Sequence, residues 1–533
     1  MTPQPEEPGS QDLTSAQRWG ITAAVMLVAT MQILDTSVIN VALPHMQGSL
    51  SASLDEITWV LTSFIAANAV ILPATGWLVA RLGRRTFFMV ATATFMASSL
   101  LSGAAPSLEL LVGARILQGL GGGPLIPLAQ AILLEVFPPR QRGTAMAIWG
   151  LGIMVAPIIG PTVGGWITEN YSWRWIFYIN LPFGAVALAL GSAFLTDATR
   201  PEAEGTVSRF RFDGLGLALL VAGIGSLQVA LDQGERLDWF ESSGITTLMA
   251  VAAVALTAFV MWELRVAHPL VNLRVLSNRT FALGTFLISV IGFGLYSSFL
   301  LLTFYTEHLL RYDALTAGWV LAPGGVGSLI SLAIGGRLVD RVDPRWLVSL
   351  GTAIIAYSLY LMGTLTLGAD FWAVFWPRLV QGFGMGLVFV PLTTMTLTSV
   401  SQSELPTASG LFNVVRNVGG SVGIAVTTTW LSRQTRVHLS TLIAHVTPWS
   451  AATADRLARL QDVYLGAGVD ADTARRQALR HLYDEIERHA SMKAFGDDFL
   501  RLAALFAAVV PLIWLMRRPS DSPRPQPVEV EAV

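Results

Sequence analysis

Asp35 is the one carboxylate well inside an apolar run of this sequence; Glu109, Glu135, Glu169, Asp197, Asp232, Glu263 and Glu307 all stand near the ends of such runs. A charge at the centre of a hydrocarbon layer costs about 2.5–3.5 kcal/mol on insertion scales, so an interior aspartate needs a partner, a water-filled cavity or a proton. Burial raises a carboxylate pKa toward the range where it loads and releases protons, and a nearby arginine pushes it back down. The chemistry on offer is proton carriage, with a static Asp–Arg pair as the competing reading. Arg115 lies within another apolar run. Its permanent charge can stabilise ionised Asp35 in one state and release it in another; the competing reading is an arginine that orients its helix through carbonyl contacts. Arg378 and Arg416 are also at membrane depth. Arg416, with Asn413 one turn earlier on the same helical face, is a candidate for binding an anionic or polar substrate group. Phe293 and Tyr296, among several aromatics, are candidates for a hydrophobic lining, although core or lipid contact is the commoner fate of such rings.

Other chemistries are excluded or unsupported. There is no cysteine, hence no thiolate nucleophile or cysteine-ligated metal. The Gly119 to Gly123 run lacks the Lys-Ser/Thr of a phosphate loop. No His-Glu-x-x-His, nucleophile elbow or pair of interior carboxylates is present, so an enzyme is disfavoured. No cofactor is expected.

The elements that must position these residues are membrane spans. The 533 residues are 53% hydrophobic and 13% charged, with mean hydropathy +0.56, whereas soluble domains carry about 25% charged residues. Net charge −2 gives no reason to expect nucleic acid. Residues 1–14 lack the basic start of a cleaved signal, so the first apolar run reads as a retained span. Runs of the length needed to cross about 30 Å of hydrocarbon predict fourteen spans, near 19–43, 57–80, 86–105, 110–134, 143–168, 174–196, 214–232, 244–263, 280–306, 315–339, 346–367, 371–396, 406–431 and 497–516. Arginines cluster on alternate connections, as at Arg81, Arg84 and Arg85, or Arg337, Arg341 and Arg345. The positive-inside bias therefore predicts an inner-membrane protein with both termini cytoplasmic. The long segment 432–496 then lies outside, with apolar stripes Leu457, Leu460, Tyr464 and Leu479, Leu482, Ile486 on two helical patterns. Either these stripes pack on each other or they form a docking surface.

A repeat underlies the spans. Gly76-Trp77-Leu78-Val79-Ala80-Arg81-Leu82-Gly83-Arg84-Arg85 returns as Gly336-Arg337-Leu338-Val339-Asp340-Arg341-Val342-Asp343-Pro344-Arg345, and Arg115-x-x-Gln118-Gly119 returns as Arg378-x-x-Gln381-Gly382. Two parallel halves with a site between them are predicted. The expected division is 1–18 tail, 19–200 first six-helix half, 201–278 inserted pair and linkers, 279–516 second half including 432–496, and 517–533 tail. Gly152, Gly160, Pro161, Gly164 and Gly165 give one span a small-residue face, read as close packing, a hinge with a helix break at Pro157 and Pro161, or both.

The Gly76 to Arg85 segment resembles the G-x-L-x-D-R-x-G-R-R loop of the major facilitator superfamily, with Ala80 where that loop usually has Asp; the acid survives in the second copy as Asp340. Gly152-x7-Gly160-Pro161-x-x-Gly164-Gly165 resembles its antiporter signature. Leu34-Asp35-Thr36-Ser37-Val38-Ile39-Asn40-Val41-Ala42-Leu43-Pro44 is similar to the first-span motif of the fourteen-span drug/proton antiporters of the EmrB/QacA type. The insert Gly225-Ser226-Leu227-Gln228 and the long outer segment look like the EmrB branch. The resemblance implies an all-α major facilitator fold and proton-driven export of hydrophobic drugs, detergents or protonophores, with Arg115 tied to proton coupling. It also implies a periplasmic adaptor (EmrA-like) and an outer-membrane channel (TolC-like). From the residues themselves, arginines outnumber carboxylates at membrane depth, so neutral or weakly acidic hydrophobic substrates are expected over dications. Uptake by a symporter, or lipid flipping on the same fold, is the alternative.

Overall fold

A computed structural model describes residues 14–138, 141–196, 213–266, 269–312, 314–338, 341–401, 404–447 and 449–516. The expected tails, most of the linker before the inserted pair, and Asp340 fall wholly or largely outside them. In a hydrocarbon solvent every backbone group must be satisfied within its own segment, which makes helices the available spanning form. Among the described residues the ordered elements are helical. They are α1 (Ser15–Leu50), α2 (Trp59–Ile71, tightening over Leu72–Ala74 and continuing Thr75–Leu82), α3 (Arg84–Ala104), α4 (Leu108–Val136), α5 (Arg142–Asn170), α6 (Trp175–Phe194), α7 (Gly214–Gln233), α8 (Ser243–Arg265), α9 (Arg279–Leu309), α10 (Ala314–Leu338), α11 (Pro344–Gly363), α12 (Phe371–Leu397), α13 (Leu405–His445), α14 (Ala451–Gly466) and α15 (Ala471–Ile513). Eleven of these helices are long and apolar enough to cross a membrane by length and composition. With α5, α13 and the final part of α15, which pack among them, the arrangement is the expected fourteen.

Two bundles result, α1–α6 and α9–α13 with α15, joined where α5 meets α10 and α12 and where α13 meets α2 and α4. Consecutive helices alternate in direction, so one face of the protein carries the Gly83 turn between α2 and α3, and the opposite face carries the α13–α15 hairpin region. The inserted pair α7–α8 lies against α2 and α13. On the hairpin face its connection reaches both bundles: Asp232 bonds Thr62, Arg236 donates to Thr58 at 3.4 Å, and Trp239 donates its indole N–H to Thr429 at 2.8 Å.

The glycine-rich face of α5 is a packing surface. A Cβ on Gly160 would lie 2.4 Å from Ser37 Oγ, one on Gly164 2.8 Å from Val38, and one on Gly152 2.3 Å from Met26 Cε. These glycines therefore let α5 press against α1, the helix that carries Asp35. Gly165 is half-buried beside them. The predicted helix break is absent, since α5 runs unbroken through Pro157 and Pro161. Packing against α1 supports the chain on both sides of these positions and holds the helix together where a proline would weaken an isolated one.

Helices α13 and α15 differ from the sequence expectation in length. The apolar run of α13 ends near 431, yet its helix continues to His445. Nothing between Ser432 and His445 breaks a helix, and at about 1.5 Å per residue the element is about 60 Å long. α14 packs back on the outer part of α15. Leu460, Ala474 and Ala478 are buried there, whereas Leu479 is 48% exposed. The inner face of the hairpin thus includes small residues one position away from the predicted Leu479–Ile486 stripe. Arg456 bonds Glu485 across the two helices.

Candidate functional site

Four helices of the first bundle bring their few polar side chains to one point. Arg115 donates from Nη1 to Asp35 Oδ2 at 2.7 Å and to Gln118 Oε1 at 2.7 Å, and from Nε to the Val60 carbonyl at 3.1 Å. Gln118 Nε2 donates to Asp35 Oδ1 at 2.9 Å and to Ser99 Oγ at 3.2 Å. Asn180 Nδ2 donates to the same Oδ1 at 2.7 Å and to Ser99 Oγ at 2.9 Å. The Phe64 ring covers the guanidinium at 4.0 Å, a stacking that favours arginine over lysine. Asp35 is 1% exposed and Arg115 0%.

The Asp35 carboxylate thus accepts one charged and two amide hydrogen bonds. Arg115 Nη2 is buried without a partner, so the cluster carries a cation whose bonding is incomplete. Asp35 lies inside the first bundle rather than at the seam between bundles, where the prediction of two parallel halves with a site between them would put it. The physical reason is that its donors come from α4 and α6 of its own half. Ser99 and Asn180 stand five residues from the hairpin-face ends of α3 and α6, placing the cluster toward that face.

Asn180 and Ser99 are absent from the sequence reading, and Gln118 enters it only as part of the Arg115 repeat. Gln118 was legible as the partner of Arg115 one turn on, and Asn180 as a buried amide in an apolar span; Ser99 carried no signal.

The other predicted residues divide between two places. Gly76, Asn413 and the Gly83 turn belong to the seam on the turn face. A Cβ on Gly76 would lie 2.3 Å from Thr407 Oγ1 and 2.8 Å from its Cα, so glycine lets α2 and α13 touch at backbone range. Asn413 Nδ2 donates to Gln130 Oε1 of the other bundle at 2.9 Å, as does Ser409 Oγ at 3.0 Å. Asn413 is thereby occupied in closing the seam. Trp149 stacks on Phe389 across the same seam at 5.4 Å. Gly83 has φ 83°, and after it Arg84 pairs with Glu135; Arg81 and Arg341 are exposed and Gly336 is buried.

Arg378, Arg416, Tyr296 and Phe293 lie in the second bundle. Arg378 Nη1 bonds Gln381, whose Nε2 donates to Ser298 Oγ at 2.9 Å. The Arg416 backbone and stem press on Gly292 of α9, and its Nη2 reaches Asn417 at 3.4 Å. Tyr296 is 41% exposed and rests on Gly420. Phe293 lines a cavity of about 630 Å³ between α9, α13 and α15, with Arg501 also in its wall. Arg378, Arg416 and Phe293 are therefore not gathered in one described cavity.

Residues 25–424 match the Major Facilitator Superfamily. The chain belongs to that superfamily. Within it, the chain is similar to "Multidrug export protein EmrB" of Escherichia coli (strain K12), 37% identical over 508 residues that cover 95% of this chain and 97% of the relative. It is also similar to "Fatty acid resistance protein FarB" of Neisseria gonorrhoeae, 36% identical over 95% of this chain and 97% of that one. Among solved structures, the human organic anion transporter MFSD10 superposes with TM-score 0.59 at 14% identity, covering 94% of this chain and 99% of that chain. The proton:xylose symporter XylE gives TM-score 0.59 at 14% identity, covering 95% and 97%. These two share the major facilitator fold. The chain is a multi-pass transporter of the inner membrane rather than an enzyme.

Proposed function

We propose that this major facilitator exports hydrophobic compounds of several kinds from the cytoplasm in exchange for protons, as the inner-membrane part of a three-component pump. The observation that carries the coupling reading is the enclosed Asp35–Arg115–Gln118–Asn180 cluster. It holds a carboxylate that is 1% exposed against a permanent cation, in a bundle that must move as a unit against the other. The names of the EmrB relatives support the export direction and the breadth of substrate. The arginine-rich Gly83 turn supports a cytoplasmic assignment for the turn face. On that assignment both termini are cytoplasmic, and the close Gly76–Thr407 and Asn413–Gln130 contacts shut the seam on the cytoplasmic side.

In this mechanism a proton from the periplasmic face neutralises Asp35, and the Asp35–Arg115 bond loosens. The first bundle then shifts relative to the second, and the seam opens to the cytoplasm for a hydrophobic substrate. Release of the proton inward restores the ion pair and the closed seam. The drive is the proton gradient, with no cofactor. The outer α14–α15 hairpin is the surface offered to a periplasmic adaptor, which in turn reaches an outer-membrane channel.

The test uses purified protein in liposomes with an internal pH dye. Addition of a hydrophobic substrate should move protons in the direction opposite to the substrate. Substrate movement that leaves the pH unchanged at every imposed gradient would defeat the coupling.

A further inference from the structure

The two bundles carry the same polar frame with two differences. Arg115 and Gln118 of α4 return as Arg378 and Gln381 of α12, and the same displacement carries Asp35 of α1 to Ser298 of α9. The geometry confirms the correspondence. Gln118 Nε2 donates to Asp35 Oδ1 at 2.9 Å, and Gln381 Nε2 donates to Ser298 Oγ at 2.9 Å. On α2 and α10, the displacement that relates Gly76 to Gly336 relates Phe64 to Gly324. In the first bundle Phe64 covers the guanidinium. In the second, a Cβ at Gly324 would lie 2.6 Å from Arg378 Nε, so this position bears no ring, and the nearest stacked ring is Phe299 at 6.0 Å.

Arg378 has thus lost both the carboxylate and the aromatic cover that its counterpart keeps. Its Nε is buried and has no hydrogen-bond partner, and among the described residues no carboxylate pairs with it. A buried cation without a partner is strongly unfavourable. Yet Arg378 retains 9% exposure where Arg115 has none, so its tip is reachable.

We infer that Arg378, Ser298 and Gln381 hold the anionic group of a hydrophobic monoanion, which takes the place that the Asp35 carboxylate fills in the other bundle. The inference rests on the export reading for its transport consequence and stands apart from it for binding. Arg378 supplies a planar fork suited to carboxylate or sulfonate, and Gln381 Nε2 supplies the amide donor that Gln118 gives to Asp35, while the Ser298 hydroxyl, which donates to the Leu295 carbonyl at 3.1 Å, marks the vacated carboxylate position. The apolar body of the ligand then lies along the surrounding helices. Neutral hydrophobic compounds forgo this contact, and dications are repelled by it.

The probe pair is 9-anthracenecarboxylate and its uncharged amide, which share one ring system. Binding is measured by anthracene fluorescence to full-length protein in phosphatidylcholine nanodiscs, and accumulation is measured in liposomes under an imposed proton gradient. Arg378→Gln should weaken carboxylate binding tenfold or more and leave amide binding within twofold. Ser298→Asp, which supplies Arg378 with an internal partner and so guards against misfolding, should do the same. Equal affinity of wild type and Ser298→Asp for the carboxylate would overturn the site. So would loss of carboxylate binding in Arg416→Gln but not in Arg378→Gln. Nanodiscs containing phosphatidylglycerol should bind the carboxylate as well as phosphatidylcholine discs do. An Arg378-dependent loss there would give the site to a lipid phosphate and overturn the small-molecule assignment. Carboxylate binding that obeys these rules without gradient-driven accumulation of either probe would leave the site intact and defeat the export reading instead.

Discussion

Two of the arginine–carboxylate pairs in this chain form under opposite conditions. Arg115 and Asp35 pair at 2.7 Å with neither side chain exposed, while Arg456 and Glu485 pair across the outer hairpin with 43% and 32% of their side chains exposed. The buried pair has been taken out of water at a high desolvation cost that its hydrogen bonds to Gln118, Asn180 and the Val60 carbonyl help to offset, and breaking such a pair on one side costs about 3–5 kcal/mol. The hairpin pair is hydrated and screened by salt. A hydrated pair adjusts the docking of two helices. A buried one makes the protonation of a single oxygen a structural event, which is what coupling requires.

Asp35→Asn should have the largest effect. Since Arg115 would lose its counter-charge, the variant should be less stable by about 3–5 kcal/mol. The double variant Asp35→Asn/Arg115→Gln should regain most of the melting temperature without regaining accumulation against a gradient. Thermal melting and accumulation read on one liposome preparation check both statements. Wild-type accumulation by Asp35→Asn would reduce the pair to a structural tie.

Arg115→Lys keeps a charge and loses the fork that reaches Asp35, Gln118 and the Val60 carbonyl together, as well as the stacking on Phe64. Substrate binding should persist while exchange falls about tenfold, following the general loss of one aligned contact worth about 1.4 kcal/mol. Full exchange from neutral to alkaline pH would show that charge alone suffices.

Much of this was legible in sequence, for reasons that follow from the solvent. Helices in a bilayer announce themselves by apolar length, so the spans, the inserted pair and the two-bundle repeat could be read directly, and Asp35 stood out because its type is expensive there. What composition does not carry is which face meets which. Gln118 and Asn180 are ordinary amides until α4 and α6 turn them toward Asp35, and Asn413 looked like a partner of Arg416 until packing turned it to Gln130. Outside the bilayer the apolar rule lapses. The hairpin therefore packed partly on Ala474 and Ala478, while Leu479, the more conspicuous residue, stayed exposed.

That exposure sets up a smaller test. Leu479→Ser with Tyr483→Ser changes two exposed residues of one helical face. Liposome exchange should be unchanged, while whole-cell resistance should drop severalfold through a weakened adaptor contact. Equal loss in both assays would return these residues to a folding role.

The smallest effect is expected from Arg456→Ala. The hydrogen bond from Arg456 holds the Glu485 carboxyl below its ordinary value. A carboxylate lowered on folding contributes stability that is fully present above its unfolded value, near 4.5, and is lost as pH falls through the folded one. Protease protection of the hairpin should therefore differ between parent and variant at pH 7 and converge as pH drops below that range. A difference that persists unchanged at the acid end would assign the effect to packing of the arginine stem.

The connection between α7 and α8 has a mechanical consequence. It is fastened to Thr58 and Thr62 of one bundle and to Thr429 of the other, so it behaves as a strap across one flank of the seam at the hairpin face. The bundles cannot part at that flank without tearing one set of fastenings, whereas the flank where α5 faces α10 has no such strap among the described residues. Any parting of the bundles at the hairpin face is therefore resisted first on the strapped flank.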